Sequence, residues 1–389
     1  MKKKSFLFGR IVKNIRLAKI RLLKTPIFIE SGKITENSVS FLIERDGLKE
    51  KLYLKSNHVR FQNSPDVPLL IVLLQAMKRK RNIFIRETIS NGLIVNLIRY
   101  MDIFCTWHSS YRPIKIHVNN PPGQFEKNSF EKSRRVGAFF SGGVDSFYTF
   151  FKHKDEITDL IFVHGFDVPL SSVELRQQIR EMGSKVAAEW GKRFVEIETN
   201  ARDILKGWGH WGFHAHGLAL GTVARSLSGS FQKIFIASST SIDQLRPWGS
   251  HPELDNLLGD RTIEIIHDGV QKHRNEKIEY SISYPFFLEN LRVCYKNPGE
   301  AYNCCECEKC LRTMTTLYAL GCLDKAIRFP KPLNARMISR LELSDAGQIS
   351  FVNYAIANLQ LLRENGMANS EVYNAWHDLL ARYGHKEFR

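Results

Sequence analysis

The sequence predicts an α/β protein whose parallel sheet carries helices on both faces, with a smaller α+β domain before it. Strand-like apolar segments alternate with helical segments after residue 136, which is typical of a parallel sheet. The motif Asn-Asn-Pro-Pro-Gly and the polar run behind it predict a linker over 119–135. We therefore expect a basic α+β domain over 1–133, an α/β domain over 134–330 and a helical extension over 331–389.

The N-terminal part begins with a basic amphipathic segment. The first 24 residues contain nine Lys and Arg and no acid, and their apolar residues recur at helical spacing. Because a base interrupts every apolar stretch, the segment has no signal-peptide core. The predicted helix can lie on lipid, on nucleic acid or on its own domain, and the last is the simplest interpretation. Behind it, strands are predicted over 26–54 and 82–85, and helices over 68–80 and 88–108.

The positive charge of the chain is concentrated in this first part. The formal net charge is +16, and residues 1–135 alone hold 27 Lys and Arg against 10 Asp and Glu. This asymmetry indicates either an anionic partner, such as an acidic protein, a nucleic acid or a membrane surface, or a solvated surface that aids solubility. No run of 18 apolar residues occurs, so the sequence predicts no transmembrane segment.

The central part has regularly alternating elements. Helices are predicted from Asp145 and over 171–190 and 215–228. The ligands of parallel sheets bind at the carboxyl ends of the strands, so a site is expected in the loops that follow them. The predicted strands are Val136–Phe140, Leu160–His164, Phe194–Ile197, Lys233–Ala237 and Thr262–Ile266.

The turn between the first of these strands and its helix has the composition of a phosphate site. Gly142 and Gly143 let backbone N–H groups approach an anion, and the start of a helix favours negative charge. Ser141 and Ser146 can donate hydroxyl hydrogen bonds. Asp145 would repel phosphate unless it holds a cation, and a bridging Mg²⁺ explains its presence. The spacing is not that of kinase-like P-loops, and an ordinary βα turn capped by serine is the alternative.

The six residues Ser141–Ser146, with the sequence SGGVDS, resemble the signature of the PP-loop ATP pyrophosphatases. These proteins have the adenine nucleotide alpha hydrolase-like fold, cleave ATP between the α- and β-phosphates and adenylate a substrate oxygen. The resemblance implies that the whole loop, Val144 included, binds the nucleotide and that Asp145 and Ser146 act in catalysis. It also implies that Val163, at the end of the second strand, lies near the adenine.

The spacing of the cysteines indicates a second site, one that binds a metal. Five of the seven lie within 17 residues, which does not fit the disulfide framework of a secreted protein. Cys304, Cys307 and Cys310 are separated by two residues each, and Cys294 lies ten residues upstream. Four thiolates at such spacing suit Zn²⁺ in a closed, structural site. Cys305 is expected to pack beside the ligands, and an iron–sulfur cluster, a redox pair or free thiols are the alternatives.

The segment that contains the four cysteines shows a more specific resemblance, to one family of PP-loop proteins. Leu291–Tyr295 and Cys304–Arg312 resemble the C-terminal zinc segment of the 7-cyano-7-deazaguanine synthases. These PP-loop ligases of queuosine biosynthesis convert a 7-carboxy-7-deazaguanine to a nitrile with ATP and ammonia. The resemblance covers roughly 136–322, and Cys305 stands where the family usually has glycine. Upstream, Arg274 and Lys277 can stabilise the negative charge of the leaving pyrophosphate. The alternative is that both residues lie on a solvated face of a helix and have no catalytic role.

Substrate residues are expected in the loops after the third and fourth strands. Asn200 follows the third strand, and Asp243, Arg246 and His251 follow the fourth, in a segment that differs from the substrate loop of the synthases. The run Trp208–Gly217 is dense in imidazole and aromatic rings. It is expected to line a ligand or to pack in the core, while a second metal at two of its histidines, His210 and His214, is the less favoured hypothesis.

Together these observations predict a cytoplasmic ligase that uses ATP, Mg²⁺ and Zn²⁺. A substrate carboxylate would attack the α-phosphate, and an amine or ammonia would then displace AMP. A tRNA-modifying sulfurtransferase is the rival enzyme, and it needs a catalytic cysteine, for which only Cys105 and Cys322 stand outside the cluster. A nucleotide-binding protein without turnover is the third hypothesis. The sequence leaves open whether the chain forms a homodimer.

Overall fold

The computed structural model describes residues 26–119, 135–342 and 345–383, without the side chains of residue 31 and residues 345–350. The predicted amphipathic helix at the N-terminus and nearly all of the predicted linker lie outside these ranges. The strands are β1 (Ile27–Ile34), β2 (Ser38–Arg45), β3 (Leu48–Lys55), β4 (Ile83–Ile85), β5 (Ile116–Val118), β6 (Val136–Phe139), β7 (Asp159–His164), β8 (Arg193–Thr199), β9 (Lys233–Ala237) and β10 (Glu264–Asp268).

Thirteen α-helices connect or follow these strands in the described ranges. They are α1 (Asp66–Arg79), α2 (Asn91–Trp107), α3 (Val144–Lys152), α4 (Val173–Glu189), α5 (Ala201–Leu205), α6 (His216–Ser226), α7 (Pro252–Asp255), α8 (Arg274–Ser281), α9 (Pro285–Asn290), α10 (Glu308–Ala319), α11 (Ala335–Ser339), α12 (Asp345–Glu364) and α13 (Glu371–Arg382). None of them is both long and apolar enough to cross a bilayer.

The chain forms two compact units that alternate along the sequence. The first unit takes the described residues up to 135 together with 197–234 and 246–267. The second takes 136–196, 235–245 and the described residues from 268 onward. The N-terminal part is therefore packed together with later segments, and the predicted domain limits at 133 and 330 stay a prediction.

In the first unit the strands have the order β3–β2–β1–β4–β5. Neighbours among β1, β2 and β3 are antiparallel, and β4 lies parallel to both β1 and β5. Val39, Phe41 and Ile43 of β2 are buried while their neighbours are not, as the alternation in the sequence predicts. Helix α1 is buried on nearly every side and packs on α6. Arg225 of α6 donates to Asp66 of α1 at 2.6 Å and is 2% exposed.

In the second unit the strands have the order β9–β6–β7–β8, with β6 and β7 parallel. All six residues of β7 are buried, which is typical of a strand covered on both faces. The residues of β8, β9 and β10 are divided between the two units. Strands β6 to β9 lie where the apolar segments predict them. The α/β class with a mostly parallel sheet is thereby confirmed.

The C-terminal helices belong to the core of the second unit. Trp376 of α13 is fully buried, and its indole Nε1 donates to Thr315 Oγ1 of α10 at 2.8 Å. Residues of α10, α11, α12 and α13 share one apolar cluster. The segment after residue 331 is therefore packed against the helix that begins in the cysteine cluster. The C-terminal segment therefore contributes to the apolar core of the second unit.

Candidate active site and metal centre

The turn between β6 and α3 is fixed by its glycines and by a distant backbone contact. Gly142 has φ +75°, a conformation that favours glycine, and a Cβ there would lie 2.7 Å from Met182 Cε. The backbone N–H of Arg292 donates to Gly142 O at 2.8 Å. Gly143 is the residue that precedes the first turn of α3. The predicted strand–turn–helix context of the loop is thus present.

Two hydroxyls lie together at the start of α3. Ser146 Oγ donates to Gly143 O at 3.0 Å, and Ser141 Oγ accepts from Gly143 N–H at 3.3 Å. The two hydroxyl oxygens are 3.3 Å apart, so either can donate to the other. Hydroxyls and free N–H groups at a helix start form the kind of donor set that binds phosphate oxygens.

Asp145 is held by two cations from α8. Arg274 Nη1 donates to Asp145 Oδ2 at 2.7 Å, and Lys277 Nζ lies 3.4 Å from Asp145 Oδ1. The side chain of Lys277 is 1% exposed, that of Arg274 7% and that of Asp145 19%. Helices α3 and α8 pack on each other and bring these residues together. The structure thus places three of the predicted catalytic residues side by side.

The charges in this group oppose the effect of burial. Burial alone would raise the pKa of Asp145, but the cations Arg274, Lys277 and Arg312 outweigh it and hold that pKa below its usual value. The pKa of Lys277 is lowered by burial, and the nearby Asp145 offsets part of this change. Asp145 is therefore ionised at neutral pH, and it neutralises part of the charge of these buried cations.

The ends of β9 and β10 hold Lys277 and α3 in place, a detail that sequence reasoning missed. Asp268 accepts from Thr149 Oγ1 of α3 at 2.9 Å and from Lys152 Nζ at 2.7 Å. Lys277 Nζ also donates to Ser238 O at 2.6 Å, directly after β9. The end of β9 is thereby linked through Lys277 to the start of α3, whereas the end of β10 holds the second half of that helix. Both contacts lie at the carboxyl ends of strands, where the ligands of parallel sheets bind.

The four predicted zinc ligands form one cluster. The Sγ atoms of Cys294, Cys304, Cys307 and Cys310 all lie within 4.8 Å of one another, and all four residues are buried. The Sγ atoms of Cys294 and Cys307 are 4.0 Å apart, and those of Cys304 and Cys310 are 3.9 Å apart. Sulfurs around a tetrahedral zinc with Zn–S bonds of about 2.3 Å are about 3.8 Å apart. The cluster can therefore hold a metal such as zinc without a large rearrangement.

The backbone around the cluster supports thiolate ligands. The N–H groups of Glu306 and Cys307 point at Cys304 Sγ at 3.4 and 3.2 Å, and Asn297 N–H points at Cys294 Sγ at 3.4 Å. Helix α10 starts beside Cys307, so its positive end faces the sulfurs. Cys305 is outside the four-cysteine set, as predicted, and has φ +60°. That left-handed backbone is a physical reason for a glycine at this position in similar segments.

The proposed substrate residues are divided between the two units. Asp243 lies in the second unit, where its Oδ1 is 3.5 Å from His273 Nε2, and its side chain is 56% exposed. Val163, which is expected near the adenine and not at the substrate, is also in the second unit, within β7, and is 8% exposed. The first unit contains Asn200, Arg246 and His251, whose contacts are described next.

In the first unit, Asn200 has a clear structural contact. Its Oδ1 accepts from Tyr53 N–H at 3.0 Å and its Nδ2 donates to Lys51 O at 2.8 Å. The Arg246 guanidinium lies over the Trp248 ring at 4.8 Å. His251 caps α7 by accepting from Glu253 N–H. Substrate contacts for these residues stay a prediction.

The histidine-rich run forms a helical turn although it contains Gly212. Residues Trp211–Ala215 form one π-helical turn. His210 Nδ1 accepts from the N–H groups of Gly212 and Phe213, and His214 Nδ1 accepts from His210 N–H. Burial lowers the pKa of His214 to about 4. The only group of metal-binding type found in the described ranges is the cysteine cluster, so the histidines gain no support as a second metal site.

Comparisons with protein-family models, with curated proteins and with solved structures found no match to this chain. What the site does must therefore be argued from its own residues and their geometry.

Proposed function

We propose that this protein is an ATP-dependent, AMP-forming ligase of the PP-loop type. The observation that supports it best is the junction of α3 and α8. There the Ser141–Ser146 turn opens a helix, and Arg274 and Lys277 converge on Asp145 with almost no exposure. Phosphate oxygens need donors and positive charge at the same place, and this group offers both.

Each residue type in the group has a task in such a reaction. The N–H groups and hydroxyls at the start of α3 would hold phosphate oxygens of ATP. Arg274 and Lys277 would stabilise the charge that develops on pyrophosphate as it leaves. Asp145 and the two serines are the oxygen donors that Mg²⁺ prefers, and a bound Mg²⁺ would neutralise phosphate charge there. No side-chain nucleophile is required, because positioning and electrostatic stabilisation supply the catalysis.

The reaction balances in two steps. A carboxylate oxygen of the substrate attacks the α-phosphorus, and the bond from that phosphorus to the bridging oxygen breaks, so that pyrophosphate leaves with its electron pair. An amine or ammonia then attacks the acyl carbon of the adenylate, and AMP leaves with the former carboxylate oxygen. The nitrogen loses a proton to solvent or base. For a 7-carboxy-7-deazaguanine and ammonia, the substrate pair that the sequence resemblance suggests, these two steps give the amide. A second ATP would have to activate the amide oxygen, which would then leave with AMP as the nitrogen loses its protons and the nitrile forms.

The cysteine cluster completes the proposal as a structural zinc site. All four ligand positions are filled by cysteine, so no position remains for a catalytic water. Zinc would fix the start of α10, because it would join Cys304, Cys307 and Cys310 at that end of the helix to Cys294. Such a site contributes free energy to folding. The reduced thiolates that bind zinc and the ATP that the reaction consumes are both typical of the cytoplasm, which is the compartment that we propose.

Pyrophosphate release tests the proposal directly. The protein is incubated with Mg-ATP, 7-carboxy-7-deazaguanine and ammonium, and both pyrophosphate and AMP are measured. Asp145→Asn should abolish both products, whereas Asp155→Asn, at an exposed position close behind α3, should not change them. Isothermal titration calorimetry with Mg-ATP separates the outcomes. Binding without products would favour a nucleotide-binding protein, and absence of binding would contradict the proposed site.

Labelled tRNA provides the test of the rival enzyme. The sulfurtransferase hypothesis needs adenylation of a base and a reactive cysteine outside the zinc site. Burial raises the pKa of Cys105 to about 11, and it also raises the pKa of Cys322. Both thiols are thus poor nucleophiles at neutral pH. Transfer of AMP to tRNA, with steep salt dependence of tRNA binding, would nevertheless replace the ligase proposal.

A further inference from the structure

The helix that starts in the cysteine cluster brings a third cation to the candidate site. Arg312 lies on α10, two residues after Cys310, and is 7% exposed. Its Nη1 is 3.1 Å from Glu308 Oε1. Its Nε is buried and has no hydrogen-bond acceptor among the described residues. A guanidinium so nearly enclosed usually has acceptors for its donors, and this one has a donor left over.

The direct ion pairs of this group have one cation more than they have carboxylates. Arg274, Lys277 and Arg312 are three cations, and among the described residues Asp145 and Glu308 are the two carboxylates with an oxygen within 4 Å of them. The Nε of Arg274 is also buried without an acceptor. Buried charges are costly unless they are paired and hydrogen-bonded. A polyanion with several acceptor oxygens would meet both requirements of this group.

Tyr354 of α12 fixes Arg312 in this place. Its ring lies over the guanidinium at 3.8 Å, which is cation–π geometry. Its hydroxyl donates to Ser239 O at 2.8 Å, one residue after the carbonyl that accepts from Lys277 Nζ. On the next turn of α12, Asn358 Nδ2 donates to Arg312 O at 3.1 Å. One helix of the C-terminal segment therefore supports both Arg312 and the loop that contacts Lys277.

We propose that Arg312 binds the β- and γ-phosphates of ATP, and that Tyr354 is a positioning residue that holds its guanidinium towards them. The inference rests on the proposed function, because it assigns a further phosphate ligand to that site. The planar guanidinium suits the geometry of phosphate oxygens better than a lysine would. It also connects the metal centre with nucleotide binding, since the zinc-held start of α10 sets the position of Arg312.

The test compares ATP with AMP as ligands. Isothermal titration calorimetry with Mg²⁺ is run on the full chain and on Arg312→Gln, Tyr354→Leu and Tyr354→Phe. Loss of a charged hydrogen-bond partner should weaken ATP binding about 10- to 100-fold in Arg312→Gln, while AMP affinity stays within about twofold. Tyr354→Leu should weaken ATP binding about fivefold, and Tyr354→Phe, which keeps the ring, by less than about twofold. Arg363→Gln, exposed on α12, is the matched control.

The outcomes separate this inference from the proposed function. If the unaltered chain fails to bind ATP, the proposed function is lost and this inference with it. If the chain binds ATP and Arg312→Gln binds it equally well, only the role of Arg312 is refuted. An equal loss of ATP and AMP affinity would also refute it, because it would indicate a general structural effect. Should Arg312→Gln fail to fold or lose its zinc, Arg312→Lys keeps the charge without the planar fork and must show the same selective loss.

Discussion

Replacing Asp145 by asparagine tests the ion-pair arrangement at the start of α3. Asp145 accepts from Arg274 at 2.7 Å and lies 3.4 Å from Lys277 Nζ. With an effective dielectric constant of about 20, the Coulomb attraction at these distances is about 6 and about 5 kcal/mol, most of which is offset by lost solvation. Because the substitution leaves two buried cations without their carboxylate, we expect the free energy of unfolding to fall by about 3–5 kcal/mol.

Chemical denaturation at pH 7 measures this change, with Asp155→Asn as the exposed control, expected within about 0.5 kcal/mol of the unaltered chain. The pH dependence has a definite sign. Since the folded-state pKa of Asp145 is lowered, its stabilising contribution is complete above the pKa of an unfolded aspartate, about 3.9. It is lost as the pH falls through the lower folded-state pKa. The difference between the two proteins should therefore shrink only in acid.

Pyrophosphate gives an independent test of the same charges. In Asp145→Asn, the two cations of α8 lack their carboxylate, so an added polyanion should stabilise the variant more than the unaltered chain. The assay is the denaturation midpoint with and without pyrophosphate. Equal stability of the two proteins at pH 7, together with an equal response to pyrophosphate, would refute the reasoning.

Four further changes test other parts of the structure. Gly142→Ala should lower the free energy of unfolding by about 1–2 kcal/mol and weaken ATP binding, because φ is +75° and Met182 is close; calorimetry and denaturation check this. Cys305→Gly should keep its zinc, measured by metal analysis, and change stability by less than about 1 kcal/mol, since relief of the left-handed strain offsets lost packing. Asn200→Ala should cost about 1–2 kcal/mol and leave the Kd for ATP unchanged, because its amide holds the backbone of β3; a changed Kd would favour the predicted substrate role. Burial lowers the pKa of His214 to about 4, below that of a histidine in the unfolded chain, so the unfolded chain takes up the proton first and the free energy of unfolding should fall as the pH drops from about 6.5 to about 4. His214→Phe should make the denaturation midpoint less dependent on pH over that window.

The parts of the site that the sequence predicts are those whose chemistry is local. Ser141–Ser146 joins a strand and a helix within six residues, and its glycines and hydroxyls indicate an anion site by themselves. The spacing of Cys304, Cys307 and Cys310 likewise predicts one metal cluster. In both cases neighbouring residues along the chain are also neighbours in space, so pattern and structure carry the same information.

Contacts between distant residues could not be predicted in this way. In the sequence Arg312 is only the last residue of the cysteine-containing segment, whereas in the structure its charge also acts on Asp145. Asp268 accepts a hydrogen bond from Lys152, which lies more than a hundred residues earlier in the chain, and no local sequence pattern predicts that pair. The grouping of residues 26–119 with later segments was not predicted either, because the apolar surface of α1 does not say which helix will cover it.

The alternation of the two units along the chain has a consequence for biosynthesis. Asp66, in the first third of the chain, is buried against Arg225, which a ribosome adds 159 residues later. Until that arginine emerges, the carboxylate has no cation and α1 has no α6 to cover it. The carboxylate of Asp66 and the apolar surface of α1 therefore lack these partners until more than half of the protein has been made. A fragment that ends before α6 would lack both the cation and the helix.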